Sequence, residues 1–239
     1  MKIIIEKDYE NMSKTTMQLL LGKMYQDKKV HLAITAGSTP KRMYELMVEE
    51  MKDKAPLENV CYYNFDEIPV GEEKFGVTVS NLKQMYFDPA GIPEKQIHVL
   101  DTSNYKEQEA YLKNVGGLDA ILIGIGEDGH FCGNLPGVTK FGDETRLVSV
   151  KSRPDMFDIL VGEVGGDPEK VPDNYVTMGP KSVMQAKEVI LFANGKKKAA
   201  IIKKALQGPV TEAVPSSIFQ LHPNFIVVLD EEAASELSF

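Results

Sequence analysis

Short unbroken apolar runs alternate along this chain with stretches in which apolar residues recur every three or four positions, a pattern that predicts strands and helices in turn. Lys2 to Ile5 reads as a strand. Tyr9 to Tyr25 reads as a helix, with Met12, Thr16, Leu19, Leu20 and Met24 along one face. Val30 to Thr35 and Val60 to Phe65 are further strands, the first leading into a helix that begins near Pro40. Ser80 to Phe87 resumes helix, Pro89 and Pro93 break the chain before a short strand around His98, and Tyr105 to Leu112 is helical again. Leu118 to Ile125 is apolar with β-branched Ile at 121, 123 and 125. A strand with no wet face belongs at the centre of a parallel sheet. Strands follow at Arg146 to Val150, Tyr175 to Met178, Glu188 to Ala193 and Phe225 to Leu229, with helices opening at Gly179 to Ser182 and running over Lys196 to Leu206 and Ser216 to Leu221. Gly71 to Gly76 is an exposed loop, and residues 151–174, carrying Gly162, Gly165, Gly166 and three prolines, read as one long loop of the lid or binding kind. Alternation this regular predicts an α/β fold, a mainly parallel sheet between two layers of helices. No internal repeat interrupts it, and residues 1–239 are read as one domain.

Composition narrows the partner more than the fold. At 239 residues and 43% hydrophobic, the chain can bury a sizeable core. Twenty-seven basic against 35 acidic residues leave a net charge of -8, with no basic run denser than Lys196 to Lys198, which excludes a general nucleic-acid surface. Two cysteines, Cys61 and Cys132, cannot build a disulfide framework. No apolar run approaches the roughly 20 residues of a membrane helix, and MKIIIEKDYE is too short and too charged for a signal peptide. The expectation is a cytoplasmic protein with a small-molecule partner. The Met and Leu stripe of the first helix reads as core, and the oligomeric state is left open.

Chemistry concentrates after the central strand. There Gly126, Gly129, Gly133 and Gly137 punctuate a loop that presents Glu127, Asp128, His130 and Asn134. Ligands bind just past the carboxyl ends of strands in open α/β sheets. Gly124, Gly126 and Gly129 also spell the dinucleotide pattern G-x-G-x-x-G, but that motif needs a helix at its third glycine, and Gly133, Pro136 and Gly137 forbid one. Asp128 lies two residues from His130, close enough to orient the imidazole, so the two read as an acid/base unit. Cys132 beside them is a weak candidate nucleophile, since a thiol in apolar company is inert. After the second strand comes Ala36-Gly37-Ser38-Thr39-Pro40, in which a serine or threonine can cap the next helix and free N–H groups can meet an anion. Capping without a ligand is the simpler reading of that loop taken alone. Asp66 and Glu67 follow the third strand, where paired carboxylates are either solvated or catalytic. The histidines at 31, 98, 130 and 222 show no ligand spacing, so no catalytic metal is expected.

GIGEDGHFCGNLPG resembles the signature of the glucosamine-6-phosphate deaminase/isomerase and 6-phosphogluconolactonase superfamily, and LAITAGSTP, NFDEI, Leu191 to Leu206 and Leu221 to Pro223 agree with it in order and spacing. The resemblance covers essentially the whole chain. It implies a modified Rossmann-like α/β/α sandwich that uses no cofactor or metal. It also implies a phosphosugar held by Gly37, Ser38, Thr39 and Lys198, with Asp66 as the base between adjacent sugar carbons and Glu67, Gly129 and Asn134 in support. On this reading Asp128 orients His130, which moves a proton at the ring oxygen, and the loops converge at one rim of the sheet. One position departs from the pattern. The family glutamate that completes an Asp-His-Glu relay is here Leu135. That favours a related isomerase/deaminase, acting on a sugar such as galactosamine 6-phosphate or tagatose phosphate, over glucosamine-6-phosphate deaminase itself. Two alternatives stand beside it, a 6-phosphogluconolactonase and a phosphosugar sensor without catalysis.

Overall fold

A computed structural model describes residues 1–52, 54 and 57–238. In chain order its elements are β1 (Lys2–Glu6), α1 (Tyr9–Met24), β2 (Val30–Ala33), α2 (Lys41–Met51), β3 (Val60–Tyr63), β4 (Asp66–Glu67), α3 (Val77–Leu82), β5 (Ile97–His98) and α4 (Tyr105–Asn114). The second half contributes β6 (Ala120–Ile123), β7 (Arg146–Ser149), α5 (Met156–Glu163), β8 (Asn174–Thr177), α6 (Pro180–Val183), β9 (Val189–Ala193), α7 (Ala199–Gln207), β10 (Phe225–Asp230) and α8 (Glu231–Ala234). Seven strands form one parallel sheet in the order β1-β10-β9-β6-β2-β3-β5, so the apolar run before the glycine loop is the middle strand.

Alternation of side chains along these strands assigns each residue to a layer. On one face Leu32, Tyr62, Ala120, Leu122, Ile190, Phe192 and Val228 pack with Met12, Leu20 and Met24 of α1 and Met43 and Met47 of α2. On the other, Tyr63, Ile121, Ile123, Leu191, Val227 and Leu229 meet Leu112 of α4 and Ile201, Ile202 and Leu206 of α7. Both faces are dry, which is why the strands read as unbroken apolar runs. The result is a three-layer α/β/α sandwich. Among the described residues no helix is long and apolar enough to cross a membrane.

Several expectations need correction. The strands at Arg146 and Tyr175 do not extend the main sheet. They form a separate antiparallel sheet, β4-β8-β7, in which Asp66 pairs with Thr177 and Arg146 with the same residue from the other side. Residues 151–174 are not one loop, for they contain α5, whose Met156 and Leu160 pack with Leu135, Val148 and Tyr175. The helix expected from Ser80 starts at Val77 and ends in a π-turn over Lys83–Phe87. Lys196–Lys198 form a 3-10 turn ahead of α7, and Pro215–Leu221 a second. The terminal helix α8, capped by the Asp230 carboxylate, had no counterpart in the sequence reading.

Candidate active site

Four connections leave the carboxyl ends of β2, β3, β6 and β9 and enclose a cavity of about 540 Å³. The cavity is lined by the Gly37–Thr39 loop, Asp66, His130 and Lys198, so those sequence candidates meet in one place.

After β2 the chain turns at Gly37, whose φ of 105° lies in the region that favours glycine. The expected Ser or Thr cap is not made. Pro40 occupies the N-cap of α2 and makes no side-chain cap bond. Tyr9 of α1 braces the loop instead. Its hydroxyl donates to the Thr39 carbonyl at 2.9 Å and accepts from the Arg42 N–H at 3.1 Å. The Ser38 and Thr39 side chains are thereby left to the cavity rather than to the helix. Lys198 reaches the same cavity from the turn before α7 and donates to the Ile125 carbonyl at 2.7 Å. Burial lowers its pKa, opposed by the charges of Glu127 and Asp128. A partly desolvated ammonium beside a glycine-turned loop is a suitable seat for a phosphate.

Beyond β6 the loop folds back on itself. Gly126 N–H donates to the His130 carbonyl at 2.9 Å, and Gly129 N–H to the Gly126 carbonyl at 3.0 Å. This return lays the His130 ring over Gly126, with Nδ1 2.7 Å from Asp128 Oδ1. The carboxylate can only accept there, so Nδ1 carries a proton and donates it to Asp128. That bond to His130 is the main reason the Asp128 pKa falls to about 2, against an opposing desolvation. Asp128 does not itself line the cavity. It touches the imidazole that does.

Asp66 and Glu67 are successive strand residues and point opposite ways. Asp66 faces the cavity. Burial pushes its pKa up to about 6, the Thr78 hydroxyl lowers it through a hydrogen bond to Oδ1 at 3.0 Å, Glu163 raises it and His130 lowers it. Glu67 turns inward, 2% exposed, and accepts from the N–H groups of Ile68, Thr78 and Val79 at 3.1, 2.7 and 3.0 Å. Desolvation still pushes its pKa up to about 7.

The other two expected supporting residues also lie behind the wall. Gly129, with φ 90°, backs onto Val214, and Asn134 is fully buried, donating to the Met178 carbonyl at 2.7 Å and accepting from Arg146 at 2.9 Å. Neither lines the cavity. Cys132 does line the cavity, with φ 48°, but burial drives its thiol well above the usual range, which disfavours the thiolate. Leu135 lines it too, 7% exposed and packed on Met156 and Leu160.

The sequence reading missed Thr78, Asn81, Tyr175 and the α5 residues Ile159, Leu160 and Glu163, all on the cavity wall. For α5 a signal was present: apolar residues at 156, 159, 160 and 164 keep helical spacing behind Pro154 and Asp155. Among the described residues no three His, Cys, Asp or Glu side chains converge as metal ligands.

Known proteins with this fold and sequence are similar over nearly the full length. A glucosamine-6-phosphate deaminase of Shouchella clausii is 34% identical over 248 residues, covering 98% of this chain and 97% of the relative. One from Halalkalibacterium halodurans is 30% identical over 246 residues, covering 100% and 98%. Among solved structures, a monomeric glucosamine-6-phosphate deaminase superposes with a TM-score of 0.86 at 22% identity, covering 99% of this chain and 100% of the other. The 6-phosphogluconolactonase of Trypanosoma cruzi reaches 0.74 at 21%, covering 100% and 97%; at such identities the likeness is one of fold. Residues 7–227, a span that takes in every loop of the cavity, match the model for glucosamine-6-phosphate isomerases/6-phosphogluconolactonase, and the chain belongs to that family.

Proposed function

We propose that this protein is a hexosamine-6-phosphate isomerase/deaminase and that residues 1–239 act as one catalytic unit. The observation that carries the reading is the union, in one cavity, of an anion seat at Gly37–Thr39 and Lys198 with a desolvated carboxylate, Asp66, and the oriented Asp128–His130 pair. The relatives named glucosamine-6-phosphate deaminase support it. Binding energy from the phosphate, remote from the reacting carbons, holds the sugar in register.

His130, fixed through Nδ1, uses Nε2 to move a proton at the ring oxygen, and the hemiacetal opens to the amino aldehyde. Asp66 then takes the C2 proton while O1 takes one from solvent, giving an enolamine, and returns its own proton to C1, giving a ketiminium. Water adds at C2 and ammonia leaves, so the products are the ketose phosphate and ammonia. A pKa near 6 keeps Asp66 ionised at neutral pH while leaving it basic enough to accept that proton.

The relatives favour the gluco sugar, and the apolar Leu135 in place of the family glutamate favours a related amino hexose such as galactosamine 6-phosphate. The same leucine supports the second reading, a 6-phosphogluconolactonase in which His130 activates water. A panel assay of the purified protein separates these. It follows ammonia and ketose phosphate from both amino sugars beside hydrolysis of 6-phosphogluconolactone. Ammonia release abolished in Asp66→Asn is the expected result and names the sugar. Lactone hydrolysis that survives Asp66→Asn but not His130→Ala moves the reading to the lactonase. Phosphosugar binding with no turnover on any substrate makes the protein a sensor.

A further inference from the structure

The backbone of Asp66 is pinned from two sides. Its carbonyl accepts from the Asn64 amide at 3.0 Å, and its strand pairs with β8 at Thr177. Among the described residues its side chain is held at one oxygen only, where Thr78 Oγ1 lies 3.0 Å from Oδ1. Thr78 is placed in turn by Glu67, which accepts its N–H at 2.7 Å. The same carboxylate fills the space beside residue 76, where an added Cβ would stand 2.6 Å from the Glu67 carboxyl carbon, so only glycine fits there. Gly76 is the N-cap of α3, and Thr78 is therefore a first-turn residue. In that position a threonine hydroxyl has no helix end to cap, and this one goes to Asp66.

We propose that Thr78 is the positioning residue for Asp66, holding Oδ1 so that Oδ2 faces the substrate and favouring the ionised form that accepts the proton. The proposal rests on the reading of Asp66 as the base. A donor to the charged carboxylate stabilises it relative to the neutral acid, which offsets part of the desolvation at this wall. Without that donor Asp66 stays protonated to higher pH, and the fraction of active enzyme falls on the acid side only.

The test is the pH dependence of kcat/KM for ammonia release in Thr78→Val, with Thr78→Ser as the rescue and Thr78→Ala as the variant without a branched methyl. The acid limb should move up by about half to one pH unit in Val and Ala. Activity then falls about two- to sixfold near pH 6 and less than about twofold near pH 8.5, and Ser restores the wild-type profile. An unmoved limb, or a loss equal at every pH in both Val and Ala, overturns the proposal. Asp66→Asn is measured beside them. If it keeps wild-type turnover, the base assignment fails and takes the Thr78 proposal with it. If it is inactive while the Thr78 profiles stay unmoved, only the Thr78 proposal fails.

Discussion

Replacing Gly126 by alanine should disable the Asp128–His130 pair while leaving the fold in place. Gly126 is not among the residues with positive φ, so alanine meets no backbone obstacle there. What the new methyl meets is the site. It would stand 2.8 Å from Asp128 Oδ1 and closer still to Nδ1 and Cε1 of His130, whereas heavy atoms in contact settle at about 3.5–4.0 Å. The ring must swing away, and the 2.7 Å contact with Asp128 goes with it. A positioned acid/base group is worth about 10²- to 10⁴-fold in rate, or about 3–5 kcal/mol of transition-state stabilisation. kcat for ammonia release from the amino hexose 6-phosphate should fall by that factor. Binding of an unreactive hexitol 6-phosphate, measured by calorimetry, should stay within about threefold because Lys198 and the Gly37–Thr39 loop are untouched. Gly142→Ala is the control, since nothing lies within 4 Å of a Cβ added there. A kcat in Gly126→Ala within about threefold of wild type would refute the reasoning.

Lys198→Met keeps the stem and removes the ammonium, and should weaken hexitol 6-phosphate binding about 10- to 100-fold, about 1.4–2.7 kcal/mol, with a smaller effect on kcat; an unchanged Kd places the phosphate elsewhere. Asp66 should show a conflict between stability and activity. Its folded pKa of about 6 lies above the reference value of 3.8, so ionising it costs stability that is absent below the reference value and fully felt above the folded one. Asp66→Asn should therefore be more stable than wild type near pH 8, by about 1–3 kcal/mol in urea melts, and equal to it near pH 3.5. No gain near pH 8 would mean that the carboxylate is well solvated. Leu135→Glu puts a carboxylate among Met156, Leu160, Val148 and Tyr175. It should cost about 2–4 kcal/mol and expose α5 to protease, and a variant as stable as wild type would show that this side chain reaches water.

The first two α/β units and the central strand were legible because each carries an apolar period of its own. Leu118 to Ile125 has both faces dry and no helical stripe, so only a middle strand fits it. Of the site, Asp128 and His130 were legible because they are neighbours in sequence, and a local contact can be inferred from spacing. Thr78 was not, for a helix read from Ser80 onward does not reach it. Arg146 and Tyr175 were read correctly as strands, yet the sheet β4-β8-β7 that joins them to Asp66 could not be, since strand type is local and strand partner is not.

The sequence by itself therefore determined the alternating elements, the dry middle strand and the catalytic vocabulary of the glycine loop, all properties of residues within a few positions of one another. Tertiary structure decided everything that depends on residues far apart. It brought Lys198 to the Ile125 carbonyl, 73 positions away, and closed the cavity with α5 through Leu135. It also sorted the adjacent Asp66 and Glu67 into different roles. Their order along the chain is the same in any conformation, but only the pleat of β4 and the placement of α3 put one carboxylate in the cavity and the other under a helix end. Burial, and with it the elevated pKa of Asp66, exists only once those pieces have met.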